Sequence, residues 1–155
     1  MQRIPNIKFT KEGYENTIKK RDRLLTERKE AVVNLRQARE MGDLSENGYY
    51  KAARARLSFI DSSLRHLNKL IRFGKIVQNK IHDKIDIGST VTITDGINKF
   101  VYHIVGNFES DPKSGKISTF SPIGKSLAGK REGDQIVVDT PGGIKKYKIV
   151  NFSYE

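Results

Sequence analysis

The sequence contains no cysteine and no long apolar segment. Without cysteine, disulfides, thiolate zinc sites and cysteine nucleophiles are excluded. Charged residues make up 30% of the chain and the mean hydropathy is -0.57. A transmembrane helix, which needs about 20 consecutive apolar residues, is therefore excluded. The first five residues, 1–5, also lack the apolar segment of a signal peptide, so we expect a cytosolic protein with no membrane partner.

Motifs typical of enzymes are lacking as well. His66, His82 and His103 fall in different segments, and no two of them have the spacing of a metal-ligand pair. Gly142-Gly143 lacks the lysine of a phosphate-binding loop, so it indicates a hairpin turn. No nucleophile-elbow motif occurs among the serines. The sequence therefore predicts a protein that is not an enzyme alone and has no small-molecule substrate and no cofactor of its own.

Positive charge is concentrated in one segment of a chain whose formal net charge is +11. Residues 48–80 contain eight lysines and arginines and a single acidic residue, Asp61, whereas residues 81–155 contain ten basic and nine acidic residues. A concentrated basic segment favours a polyanionic partner, nucleic acid first. The alternative is a solvated helix face on a generally basic protein.

Two long segments have helical periodicity. From Lys11 to Met41, after Thr10 as N-cap, apolar residues recur at Tyr14, Ile18, Leu25, Val32 and Leu35, with gaps at Arg21 and Arg28 and with Leu24, Ala31 and Ala38 beside the stripe. The second segment, which ends near Gly74, has heptad spacing without a gap at Tyr50, Ala53, Leu57, Ile60, Leu64, Leu67 and Ile71.

The two stripes predict an antiparallel hairpin over residues 1–76. Pairing Leu35 with Ala53 and Leu25 with Leu64 places the midpoint of the turn at Leu44. A helix of about 30 residues would make this hairpin ~45 Å long. Intermolecular pairing of the same stripes is the alternative.

Residues 77–155 have a different texture, typical of a compact α+β domain. Ser121 and Pro122 open a short helix that Gly129 ends, and Asp95-Gly96 is a turn signal. Alternating β-branched and apolar residues predict four strands at 89–94, 100–105, 134–139 and 144–152. We expect an antiparallel sheet with one short helix.

Asp43 and Glu46 lie within the predicted turn and are acidic residues in a basic neighbourhood. The spacing Asp-x-x-Glu before a helix is also that of a capping box. Exposed at the end of a hairpin, the pair would instead present two hard oxygen donors of the kind that magnesium prefers. Because two carboxylates cannot complete an octahedral shell, they would complete a site that another molecule has partly built.

The same stretch resembles the tip signature of the bacterial Gre transcript cleavage factors. The resemblance rests on Gly42-Asp43-Leu44-Ser45-Glu46-Asn47, followed by Tyr50 and Ala52-Ala53-Arg54. It extends over nearly the whole chain, because the C-terminal part matches the family at Ile104-Val105-Gly106, Ile117-Ser118, residues 121–130, Gly133-Asp134 and residues 140–143. Residues 1–5 favour the GreA branch, whereas the arginine-rich second helix favours GreB.

The resemblance implies an N-terminal antiparallel coiled coil and an FKBP-like C-terminal domain that acts as a monomer on RNA polymerase with a backtracked nascent RNA. The C-terminal domain would dock on the polymerase through Ser121, Pro122 and Ile123, and the coiled coil would enter the secondary channel. Asp43 and Glu46 would be the catalytic pair, holding the second magnesium and the attacking water jointly with the polymerase. Further expected roles are support of the tip by Gly42, Leu44, Ser45, Asn47 and Tyr50, and RNA contacts by Lys51, Arg54 and Arg56.

One departure from the family pattern is Gly48-Tyr49, where the family often has a small residue followed by an acidic one. It leaves the acidic pair intact but bears on cleavage strength. Three other functions remain as alternatives: a channel-occupying polymerase inhibitor, an FKBP-like chaperone or prolyl isomerase, and a basic hairpin that binds free nucleic acid.

Overall fold

The structure, a computed structural model, describes residues 6–41, 48–77 and 83–154. The chain divides into two compact units, a hairpin unit of residues 14–74 and a sheet unit that contains residues 6–13 and the described residues from Lys75 onward. Residues 6–13, which the sequence-based boundaries 1–76 and 77–155 assign to the hairpin, thus group with the C-terminal residues. The α+β class is confirmed.

The hairpin unit is built from two helices, α1 (Lys11–Glu40) and α2 (Gly48–Phe73). The Arg28 Nε lies 2.6 Å from Asp61 Oδ1, and the Tyr14 hydroxyl donates to the Ile71 carbonyl at 3.1 Å. Because residue numbers rise along α1 as they fall along α2, the helices are antiparallel and pair within one chain, as predicted. Neither these helices nor the short one of the sheet unit is long and apolar enough to cross a membrane, so the described residues include no candidate span.

The predicted stripe of α2 is confirmed. Ala53, Ile60, Leu64 and Leu67 are buried, as is Leu70 beside them. Ile60 and Leu64 form one cluster with α1, and Leu57 packs against that cluster. The heptad pattern of α2 therefore identified the correct face.

The predicted stripe of α1 is wrong at two positions. Leu25 and Val32 remain 44% and 42% exposed, whereas Ala31 and Ala38 are buried and Leu24 packs against the cluster. The less exposed positions of this face are Thr17, Arg21, Leu24, Ala31, Leu35 and Ala38, and the exposed Arg28 lies between Leu24 and Ala31 in the same series of four- and three-residue steps. Since α2 supplies the large side chains, small residues on α1 allow the two helices to approach closely. The Arg28 guanidinium completes this face, and its hydrogen bond to Asp61 raises the pKa of Arg28.

The sheet unit contains one five-stranded sheet. Its strands are β3 (Ser89–Thr94), β4 (Lys99–Val105), β5 (Lys116–Ser118), β6 (Gln135–Thr140) and β7 (Gly143–Tyr154), in the order β5-β4-β3-β7-β6. Two short strands, β1 (Ile7–Phe9) and β2 (Gly74–Ile76), form a separate two-stranded sheet.

The five-stranded sheet is mixed, whereas the sequence predicted an antiparallel one. β4 and β5 are parallel, and the other three pairs are antiparallel. The chain leaves β4 through two 3₁₀ turns, Asn107–Glu109 and Pro112–Ser114, and this crossover returns it to the same end of the sheet. β5 was not predicted because three residues are too few for a visible alternation.

One face of the sheet is covered by a core. Its buried members are Ile85, Val91, Ile93, Ile104, Leu127, Ile136, Val138 and Ile149. Leu127 belongs to the short helix α3 (Pro122–Leu127), which begins at Ser121 and Pro122 as predicted and ends two residues before Gly129.

The start of α1 is capped by two segments distant in sequence. Thr10 is the N-cap, as predicted, and its hydroxyl accepts a hydrogen bond from the Gly13 amide at 3.0 Å. The Thr10 amide donates at 2.9 Å to Glu109, whose carboxylate also accepts from the Gly106 amide at 3.1 Å. In a capping box this carboxylate comes from the third helical residue. That residue is Gly13, and a Cβ there would lie 1.8 Å from Glu109 Oε2, so glycine leaves the space that Glu109 occupies.

Candidate functional site

The predicted tip lies outside the described residues. This holds for Gly42, Asp43, Leu44, Ser45, Glu46 and Asn47, whose roles therefore stay predictions. The helix ends that flank them are described, since α1 ends at Glu40 and α2 begins at Gly48.

The hairpin end next to the tip is closed by small and aromatic side chains. Ala38 and Ala53 are buried, one on each helix. Tyr50, predicted to support the tip, is half-buried, and the Arg39 guanidinium carbon lies 5.9 Å from the centroid of its ring. A cation over an aromatic face stabilises this contact by roughly 0.5–1 kcal/mol at an exposed site. These contacts hold the last turn of α1 against the first turn of α2.

Three exposed cations follow on α2. Lys51, Arg54 and Arg56 make no ion pair with any residue that the structure describes. At 3.6 residues per turn, Lys51 and Arg54 are about 60° apart around the helix, whereas Arg56 is about 160° from Arg54. The predicted RNA-contacting residues thus lie on two flanks of α2, with Lys51 and Arg54 together and Arg56 apart. Each flank can attract a phosphate backbone.

Within residues 6–41, 48–77 and 83–154, no group of three acidic or histidine side chains could hold a metal ion. The two carboxylates proposed for magnesium, Asp43 and Glu46, are not among these residues.

The second predicted site, the docking residues, surrounds the start of α3. The Ser121 hydroxyl accepts from the Gly124 amide at 3.0 Å and donates to the Ser118 carbonyl at 2.8 Å, so it caps the helix. Ile123 is half-buried against the sheet core. Of the three predicted docking residues, Pro122 alone is exposed.

Two exposed aromatic residues near α3 were not identified from the sequence. Phe120 and Phe108 are 67% and 48% exposed. Both line a cavity of about 350 Å³ with Asn6, Ile7, Lys8, Asp86, Ile87, Gly106, Asn107, Thr119 and Ala128. An apolar residue just before an N-cap normally packs on the fourth helical residue, but that residue is Lys125, which offers no apolar partner. The lack of an apolar residue at position 125 therefore indicates, from the sequence, that Phe120 is exposed.

Comparison with known proteins gives matches over both units. The family model described as "Transcription elongation factor, N-terminal" matches residues 7–76, and "Transcription elongation factor, GreA/GreB, C-term" matches residues 79–154. Transcription elongation factor GreA of Pelobacter propionicus is 40% identical over 97% of this chain and 98% of its own length. GreA of Geobacillus kaustophilus is 43% identical, over 92% of this chain and 93% of its own.

Among solved structures, GreA factor homolog 1 (Gfh1) of Thermus thermophilus aligns with a TM-score of 0.47 and 27% identity, over 96% of this chain and 99% of its own. The family models cover both units of the chain, and the curated relatives match almost its whole length. The chain therefore belongs to the GreA/GreB family of transcription elongation factors, and within it to the GreA-like members.

Proposed function

We propose that this transcription elongation factor rescues backtracked RNA polymerase by stimulating the transcript cleavage that the polymerase itself catalyses. Asp43 and Glu46 help to hold the second catalytic magnesium and orient the attacking water. The protein acts as a cytoplasmic monomer and carries no magnesium of its own. Its membership of a transcription elongation factor family supports RNA polymerase as the partner.

The observation that carries the proposal is the antiparallel pairing of α1 and α2 within one chain. It is given by the contact of Arg28 with Asp61 and that of Arg39 with Tyr50. The acidic hexapeptide connects the two helix ends next to the Arg39–Tyr50 contact. At ~1.5 Å per residue, the helix from Tyr14 to Arg39 is about 37 Å long, which supports delivery of the two carboxylates into a deep pocket of a partner.

The proposed transcript cleavage requires only two metal ligands from this chain. Two metal ions stabilise the attacking and leaving oxygens of a phosphodiester hydrolysis, and one of them lowers the pKa of a bound water. Two added carboxylates raise the occupancy of a weakly held second ion. Since a tenfold rate gain needs only ~1.4 kcal/mol, a partial set of ligands suffices.

Docking of the sheet unit on the polymerase is the second part of the proposal. Phe120 and Phe108 offer exposed apolar surface at the cavity beside α3, and the exposed Pro122 is the first residue of that helix. Apolar side chains around a concavity are typical of an interface core. Ser121 and Ile123 support this surface from behind, through the helix cap and the sheet core.

The test is a stalled elongation complex with an end-labelled transcript and a magnesium titration. We expect Asp43→Asn with Glu46→Gln to slow cleavage about tenfold or more and to raise the magnesium concentration at half-maximal rate. Glu40→Gln is the matched control, because it removes a carboxylate from the same end of the hairpin, where Glu40 pairs with Arg36. Equal cleavage rates for the double variant and the wild type would show that the pair only caps a helix. Slowed elongation without cleavage would instead identify a channel-occupying inhibitor.

A further inference from the structure

The five-stranded sheet has a second face, opposite to the side chains of its buried core, and no hydrophobic cluster among the described residues of the sheet unit covers it. Side chains alternate along each strand, so those opposite to the buried Val91 and Ile93 point away from the core. We call this the open face; the side chains on it that matter here are Thr92, Thr94, Lys99, His103, Lys146 and Lys148.

The strands direct four lysines to the open face, and one of them, Lys116, pairs with Glu12 at 2.8 Å. Lys99, Lys146 and Lys148 are exposed, and none has an ion-pair partner in the part of the chain that the structure describes. Residues 81–155 contain ten basic and nine acidic residues. Residues 81–155 are thus nearly neutral overall. The open face is positive because lysines are concentrated on it, and not because the whole region is basic.

Few negative charges oppose these lysines. Asp139 is the one acidic side chain that the described strands direct to the open face, and it lies on the edge strand β6, where it pairs with Ile144. Asp95 lies in the turn between β3 and β4, where the amides of Asn98 and Ile97 donate to its carboxylate and lower its pKa. These bonds hold the Asp95 carboxylate to its own turn.

The register places the three lysines close together. Thr94 lies between Lys99 on β4 and Lys148 on β7, and Gln135 follows Lys148 in the same row. With strands about 4.8 Å apart, the Cα atoms of Lys99 and Lys148 are about 10 Å apart, and Lys146 is about 7 Å from Lys148 along the strand. Three cations on a flat surface at this spacing can contact neighbouring phosphates of one strand.

The rest of the open face favours a backbone contact over other kinds of recognition. The aromatic residues Phe100, Tyr102, Tyr147 and Phe152 pack against the core on the opposite side. On the open face the strands present the His103 imidazole, whose Nδ1 lies 2.9 Å from the Thr90 hydroxyl, and the exposed apolar residues Val101, Val137 and Ile144. The strands direct no phenylalanine or tyrosine to this face, so it offers neither of the large rings that stack on bases or anchor protein interfaces. Lysine ammonium groups bind phosphates as point charges and read no sequence.

We propose that the open face binds the phosphate backbone of nucleic acid through Lys99, Lys146 and Lys148, without base specificity. This contact lies in the sheet unit and is separate from the cations of α2 and from the acidic pair. It goes beyond the proposed cleavage function and can be measured without polymerase.

The experiment measures binding of the full-length protein to a fluorescent duplex of about 20 base pairs at salt concentrations from about 50 to about 200 mM. Each phosphate contact contributes roughly 0.9 to the slope of log K against log salt, so Lys99→Gln/Lys146→Gln/Lys148→Gln is expected to reduce the slope by about 3. The matched control, Lys84→Gln/Lys113→Gln/Lys130→Gln, removes the same charge from exposed positions of the sheet unit outside the strands and leaves the slope unchanged. Asp139→Asn is expected to strengthen binding.

An unchanged slope in the open-face variant, or an equal loss in the control, would overturn the proposal. The same holds if the open-face variant binds the duplex normally but binds purified polymerase without nucleic acid more weakly, because the open face would then be a protein contact. Loss of transcript cleavage in the Asp43/Glu46 variant is a separate result, so failure of one proposal is distinguishable from failure of the other.

Discussion

The sheet unit and the hairpin unit bury their apolar side chains in different ways. In the sheet unit, eight buried residues from four strands, α3 and the segment before β3 form one cluster, and all but Leu127 are isoleucine or valine. In the hairpin unit, the buried cluster consists of Ala31, Ile60 and Leu64, with Leu24 and Leu57 packed against it. The sheet core is filled from several directions, whereas the hairpin cluster is a narrow seam between two helices.

This difference separates two sources of stability. In the sheet unit, large buried side chains from several elements pack against one another in one cluster, so truncation of any of them leaves a cavity. In the hairpin unit, α2 supplies the large side chains and α1 supplies small ones, so the fit depends on alanines that allow a close approach. The hairpin should therefore tolerate loss of exposed apolar residues and be sensitive to added volume at the seam.

The largest expected effect is in the sheet core. Ile104→Ala removes a fully buried side chain and is expected to lower the free energy of unfolding of the sheet unit by about 2–5 kcal/mol, because a cavity remains. Val101→Ala on the same strand is the control, since Val101 is exposed, and should cost less than about 0.5 kcal/mol. Urea unfolding followed by near-UV circular dichroism measures both, and equal costs would contradict a tightly filled core.

A smaller effect is expected at the hairpin seam. Ala31→Leu forces extra volume against Ile60 and Leu64 and should destabilise the hairpin by about 1–3 kcal/mol. Val32→Leu, the neighbouring control, adds volume at an exposed position and should be close to neutral. Amide hydrogen exchange within α1 and α2 reports the change. If Val32→Leu lowered the stability of the hairpin more than Ala31→Leu, the stripe through Leu25 and Val32 would face α2, and Ala31 would not.

The smallest expected effect concerns the first turn of α1, which belongs to the sheet unit. Glu109→Ala removes the acceptor of the Thr10 amide and should cost roughly 0.5–2 kcal/mol, the range for loss of a helix cap. Exchange of the Thr10 and Gly13 amides should accelerate while exchange at the hairpin seam stays unchanged. Glu132→Ala is the control, because Glu132 is an exposed glutamate of the sheet unit that is distant in sequence from Thr10; equal protection of the Thr10 amide in both variants would rule out this cap.

Local patterns were sufficient where one element carries its own signal. The heptad stripe of α2 identified its buried face through Ala53, Ile60, Leu64 and Leu67. Ser121 and Pro122 marked the start of α3, and Thr10 marked the start of α1. Such signals depend on the apolar periodicity of one helix or on a side chain that can accept from the unpaired amides of its first turn. Both can be recognised from residues that are close together in the sequence. The acidic pair Asp43 and Glu46, proposed from its spacing and from the family resemblance, lies outside the described residues and stays a prediction.

Other features depended on partners far away in the sequence. Whether Ala31 or Val32 faces inward on α1 follows from the size of the side chains on α2, and a helix does not encode its partner's volume. The carboxylate of Glu109 caps a helix about 100 residues before it, and β5 joins the sheet in parallel only because two 3₁₀ turns return the chain. The sequence by itself determined the helices, most of the strands and the family. Tertiary structure alone decided which face of α1 meets α2 and gathered Lys99, Lys146 and Lys148 on one surface, because strand register and interhelical packing are set by contacts between distant segments.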